Sequence, residues 1–473
     1  HTRERRPPTG ESADRNVKSL AIAVLFAVGA PVWAQESGLQ ADFRKEAERF
    51  SESCAEFKAV GCAQLLFTDH PLHIAVGSLA PMNGFGSGIA FTTHYTPNEN
   101  WRLFWNADAV ATPNGSWRAG ADMTAVLVRH PKIVVRTGGA SGKRSNLALQ
   151  EMPVFHAYVQ GISLNQLGYY GLGQGTARSL SYFGMTETIA GANVVWPVFK
   201  PLNISLLGEA NGRFFSIRGS ESSKAPSIEQ VYTNASAPGL LHQPGYAQFG
   251  EGIRMRPSFA NGYVRLNYTA KLQEWMAGEA GYSFRRLSID LSHQFPLYRS
   301  TRALLPHDFN GPDNCSADPN SQTCPPVSRN LEGSFGFQFL YTSSYTSRGN
   351  VVPFYLNPTI GGSDINGVSL LPSYPDYRFR GPDLMVFRGT FEHSIGKLPI
   401  GAKFLFDTGR VGLRAGDLGF DHLAHSYAAG ITLHAGGLPV VDLLFAWGGK
   451  EGTHTLANVS ASLLGGTSRP SLY

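Results

Sequence analysis

Trp117-Arg-Ala-Gly-Ala-Asp-Met-Thr-Ala-Val-Leu127 sets apolar side chains at Trp117, Ala119, Ala121, Met123, Ala125 and Leu127, with Arg118, Asp122 and Thr124 turned the other way. A period of two is the mark of a strand whose two faces meet different surroundings. The same rhythm returns along the chain. Leu287, Ile289, Leu291 and Phe295 alternate with Ser288, Asp290, Ser292 and Gln294. Met385, Phe387, Phe391 and Ile395 alternate with Arg388, Thr390, Glu392 and Ser394, and Ala457, Val459, Ala461 and Leu463 with Asn458, Ser460 and Ser462. Alternation alone also suits a soluble sandwich with its apolar face inward. A polar face that carries Arg, Asp and Glu, in a chain rich in aromatics, fits a transmembrane barrel with lipid outside and water inside. Closure matters there, because backbone groups in lipid must all be paired.

Composition agrees. The 473 residues include 53 glycines, 29 phenylalanines and 18 tyrosines but only 16% charged side chains, too few charges and too many aromatics for a disordered chain. A net charge of +5 is too diffuse to point to nucleic acid. The one extended apolar run, Leu20 to Ala30, is too short to cross a bilayer of about 30 Å. Its basic flank at Arg15 and Lys18, with small residues at Val32 and Ala34, reads as a secretory signal peptide cut before Gln35, with upstream readthrough before Val17. The expected organisation is residues 1–34 as signal peptide, 35–84 as a periplasmic or lumenal segment, 85–464 as an all-β, antiparallel outer-membrane barrel of about sixteen strands, and 465–473 as a C-terminal tail. Phe43, Ala47, Phe50, Cys54 and Phe57 recur at helical spacing within 42–60, predicting one short amphipathic helix that is either a periplasmic spacer or a lumenal plug.

Export makes the cysteines readable. Cys54 with Cys62, and Cys315 with Cys324, are close enough to form disulfides in an oxidising compartment. Neither pair has zinc spacing, and His70 with His73 lacks a convergent carboxylate, so no metal or cofactor is expected. Asn114-Gly115 marks a tight hairpin, whereas 219–246 and 306–330 are long rim connections. Gly171-Leu-Gly173-Gln-Gly175 and Thr137 to Arg144 imitate nucleotide loops without the required context and read as loop glycines. No serine sits in a nucleophile elbow, and no enzyme is expected.

A further pattern arrives in fixed order: Val351-Val-Pro353-Phe354-Tyr355, Thr359-Ile-Gly361-Gly362-Ser363, Tyr377-Arg378-Phe379-Arg380-Gly381, Phe391-Glu392-His393 and Phe404-Leu-Phe406-Asp407-Thr408-Gly409-Arg410-Val411. Ala429 to Leu433 and Asp442 to Ala446 continue it, and weaker matches run back to Tyr169. This resembles the barrel domain of the BamA-like outer-membrane assembly superfamily, also called the bacterial surface antigen family, over residues 75–464 and most closely from 350. The resemblance implies sixteen strands and a sixth extracellular loop folded into the lumen, where an arginine of that loop meets an acidic residue of the wall. Asp407 matches the acidic position on the thirteenth strand and Glu392 the one on the twelfth.

The loop side departs from the pattern: Leu371-Pro372-Ser373-Tyr374 stands where the family has Leu-Arg-Gly-Tyr. A desolvated Asp407 would need another cation, with Arg378 and Arg380 as candidates; in a wide channel it would instead be hydrated. The fifty or so residues after Gln35 leave no room for a POTRA domain. The implied function is assistance in inserting or exporting proteins or lipids at the outer membrane of a diderm bacterium. Its partners would be outer-membrane lipid and other outer-membrane or periplasmic proteins. The alternatives are a passive or structural barrel for small solutes and a membrane-embedded lipid deacylase.

Overall fold

The computed structural model describes residues 72–128, 151–176, 179–220, 222, 224–259, 264–297, 333–395, 400–435, 438–449, 451–459 and 470–472. The expected signal peptide, the helix at 42–60, all four cysteines and the 137–144 stretch lie outside them.

The strands are β1 (Leu72–Ser78), β2 (Phe85–Asn98), β3 (Trp101–Ala111), β4 (Trp117–Leu127), β5 (Val154–Tyr169), β6 (Ser181–Phe199), β7 (Ile204–Gly219) and β8 (Tyr246–Met255). They continue as β9 (Ser258–Phe259), β10 (Val264–Ala277), β11 (Phe284–Pro296), β12 (Ser334–Thr346), β13 (Thr359–Ile360), β14 (Phe379–Arg380), β15 (Asp383–Ser394), β16 (Ile400–Gly412), β17 (Ala424–Ala435), β18 (Leu438–Gly449) and β19 (Gly452–Val459). Each long strand pairs antiparallel with the next, from β1 on β2 through to β18 on β19. Leaving aside the two-residue β9, β13 and β14, this is the sixteen-stranded antiparallel meander expected. It begins at Leu72, upstream of the boundary expected at 85, because Leu72, Ile74 and Val76 continue the outward apolar row onto Phe91, Ile89 and Ser87 of β2.

Burial inverts the pattern of a soluble protein. Trp117 on β4 is 42% exposed while its neighbour Arg118 is 2% exposed. Arg118 pairs with Asp108 on β3, and Asp122 accepts from Asn106 at 3.1 Å and lies 3.3 Å from His156 on β5. Outside, Phe337, Gly389, Phe406, Tyr427 and Trp447 stand directly opposite one another across β12, β15, β16, β17 and β18. A solvated surface would not hold that aromatic row; acyl chains would.

Hairpin chemistry holds where expected. Thr112 N donates to Ser116 O at 2.8 Å, and Gly115 takes a φ of +82°, which a side chain would resist. Alternation of direction puts the β7–β8, β12–β15 and β18–β19 connections at one end, the loop end. β11 ends and β12 begins at the opposite end, and the 306–330 stretch between them lies outside the described residues. The 219–246 connection carries the short helix α1 (Ile228–Val231), with Ile228 fully buried.

Candidate functional site

Between β12 and β15 the chain does not stay at the rim. Phe354, Tyr355 and Leu356 form a turn of 3-10 helix and are buried beside Tyr169, Phe183 and Phe215 of the wall. Gly361 and Gly362 then fold the segment on itself. Their φ values are +99° and +61°, and a Cβ would stand 2.6 Å from Arg378 Cβ at Gly361 and 2.4 Å from Asp376 Oδ1 at Gly362. Only glycine fits both the conformation and the space. Gly361 N donates to Leu370 O at 2.9 Å, and β13 pairs with β14, so the segment is a compact folded body.

Three anchors hold it. The first is Asp407 on β16, which is fully buried. Arg388 on β15 donates through Nε to Oδ1 and through Nη2 to Oδ2, both at 2.7 Å. Leu371 N donates to Oδ2 at 2.9 Å, and Ser373 N donates to Ser426 Oγ of β17 at 2.9 Å. The cation on Asp407 is therefore Arg388, not Arg378 or Arg380. Register explains this: Arg388 and Asp407 face each other in the β15–β16 ladder, so the wall supplies both charges. Glu392 lies on β15, the twelfth long strand, and stands opposite Lys403, further along the same ladder. Leu371, Pro372, Ser373 and Tyr374 are all buried, and the segment meets Asp407 through the Leu371 backbone.

The second anchor is Arg378. Its Nε lies 2.7 and 2.8 Å from the Glu451 carboxylate in the β18–β19 turn. Its Nη1 donates to Thr176 Oγ1 at 3.0 Å, and its guanidinium sits 5.1 Å from the Tyr170 ring. Burial pushes the Tyr170 hydroxyl up to about 12, the Arg378 charge pulling the other way. Next to Arg378, Tyr377 donates its hydroxyl to Pro81 O in the β1–β2 connection at 3.3 Å. Two consecutive residues thus reach the hairpin turns of β1–β2 and β18–β19.

The third anchor is Arg380, whose Nη1 donates to Phe354 O at 3.0 Å and whose backbone carbonyl accepts from Gly173 N at 2.7 Å. The glycines of 171–175 are rim glycines with a task, since Gly171 and Gly173 both take positive φ. Burial also lifts the Asp376 carboxyl above the usual carboxylate range, against the pull of the Ser363 N–H donated at 2.7 Å and of His454.

The architecture is thus the one implied by the resemblance: sixteen strands, the sixth loop-end connection inside the barrel, and the acidic residue on the thirteenth long strand. The fold is that of a BamA-like barrel.

No family model matches the chain, and no curated protein is significantly similar to it. Among solved structures, CdiB from Acinetobacter baumannii is similar at 11% identity and a TM-score of 0.46, over 81% of this chain and 57% of that one. BamA from Haemophilus ducreyi lacking POTRA domains 1-3 is similar at 9% identity and 0.47, over 82% and 68%. CdiB from Escherichia coli gives 12% and 0.43, over 80% and 59%. The chain thus spans less than two thirds of either CdiB structure. These are likenesses of shape, and the BamA-like description stands on the strand registers and the inward segment.

Proposed function

We propose that this chain is an integral barrel of the bacterial outer membrane that assists the insertion or export of proteins or lipids there, and is not a passive pore for small solutes. The observation that supports it is the packed inward segment: Phe354, Leu356, Leu371 and Tyr377 are all 1% exposed or less. A solute pore needs an open aqueous path, and a segment packed against the inner wall narrows it. What the barrel offers a client is its seam. The described parts of β1 and β19 pair with β2 and β18, and the connections of these two terminal hairpins are the ones that the inward segment reaches. Tyr377 and Arg378 grip the turns of the two terminal hairpins from inside, so the segment that narrows the lumen also holds the junction.

Reconstituted liposomes test the reading. Vesicles carrying the protein should speed the folding of an unfolded outer-membrane barrel relative to empty vesicles, and Glu451→Gln should change that rate. A steady wide conductance with no effect on client folding would favour the pore instead.

A further inference from the structure

The segment after β19 reappears inside the barrel. Ser471 O accepts from Arg213 Nη1 at 2.8 Å, and Leu472 N donates to Asn366 Oδ1 at 2.8 Å. Leu472 is 5% exposed and belongs to the main apolar cluster together with Ile365 and Tyr377. Arg213 lies on β7, far around the wall from β19.

The receiving side is built. Arg213 is 1% exposed and is fixed by Glu187 at 2.9 Å, Gln248 at 2.8 Å and Asn211 at 3.0 Å, with the Trp275 ring 5.0 Å below its guanidinium. These wall groups hold its plane, and Nη1 donates both to Glu187 and to the Ser471 carbonyl. Asn366, on the inward segment, presents the complementary acceptor for an N–H one residue further along. A donor and an acceptor spaced for consecutive backbone groups, flanked by apolar side chains, recognise an extended peptide with an aliphatic residue.

We infer that the lumen contains a peptide-holding site, filled in cis by Ser471 and Leu472, which act together as a stopper of the barrel. The site joins β7 to the inward segment, so the stopper and that segment hold each other in place. Withdrawal would free both a path through the lumen and the tip at Asn366.

The test uses the full-length protein in planar bilayers. Leu472→Glu puts a charge into an apolar site and should raise open probability roughly tenfold or more over the unsubstituted protein. The pentapeptide Arg-Pro-Ser-Leu-Tyr, added to the variant, should restore the block. Equal conductance in the two proteins, with the variant still heat-modifiable on gels and so folded, would overturn the inference. Should the variant not fold, hydrogen exchange on the unsubstituted protein decides: the Leu472 amide should be protected on the order of a hundredfold, and exchange at the free-peptide rate overturns the stopper.

Discussion

The anchors at Asp407 and at Arg378 hold the same segment by opposite means. At Asp407 both charges belong to the wall, on adjacent strands in register, and the segment contributes only backbone groups, the Leu371 N–H to Asp407 and the Ser369 carbonyl to Arg388. Should the segment withdraw, Asp407 keeps Arg388 and no charge is stranded. At Arg378 the cation belongs to the segment and the carboxylate to the β18–β19 turn, so withdrawal separates them. Separating a buried pair is costly, whereas releasing one N–H from a carboxylate that keeps its cation is much less so. The first anchor is a preformed socket; the second ties movement of the segment to the terminal hairpin.

The sharpest way to break this contrast is Arg388→Ala. It leaves a fully buried carboxylate without its cation, and a loss of about 3–5 kcal/mol in urea unfolding from lipid is expected. A loss below about 1 kcal/mol would mean that water reaches Asp407 and the socket is not dry. A double-mutant cycle on Arg378→Ala and Glu451→Ala comes next. Contact predicts a coupling of roughly 1–3 kcal/mol, while Arg378→Ala with Asp407→Asn should add simply, since those two do not touch.

The smallest effect concerns acidity. The folded Asp376 carboxyl sits above its unfolded value, so its contribution is fully present below the ordinary carboxylate range and is lost as pH rises through the raised one. Melting temperature should therefore fall slightly on going from mildly acid to neutral pH. Asp376→Asn should flatten that slope without disturbing the Ser363 contact, and an unchanged slope would assign it to another group.

Much of the wall was legible from the residues, because lipid on one side and charge on the other impose a strict period of two. The inward segment and the acidic position on the thirteenth strand followed from the resemblance. Arg388 was visible as one polar position in an alternating row, but its partner depends on register, a long-range property. A signal existed: a hairpin turning about residues 397–398 places 388 opposite 407. The Tyr377, Arg378 and Ser471 contacts left no such trace, since they join segments that only the closed barrel brings together. β1 lies upstream of the expected start at 85, its seven residues being too short a run for the alternation to stand out.

The Arg388–Asp407 socket bonds to no side chain of the segment, only to the Ser369 carbonyl and to the amide hydrogen of Leu371, where the backbone takes a φ of +53°. Its vocabulary is correspondingly small. The Leu371 side chain answers to its apolar neighbours and not to the carboxylate, and for the carboxylate the one excluded residue is an imino acid: proline has no hydrogen to give, and its ring forbids the left-handed turn. Pro372, one place along, is as near as the chain can bring one.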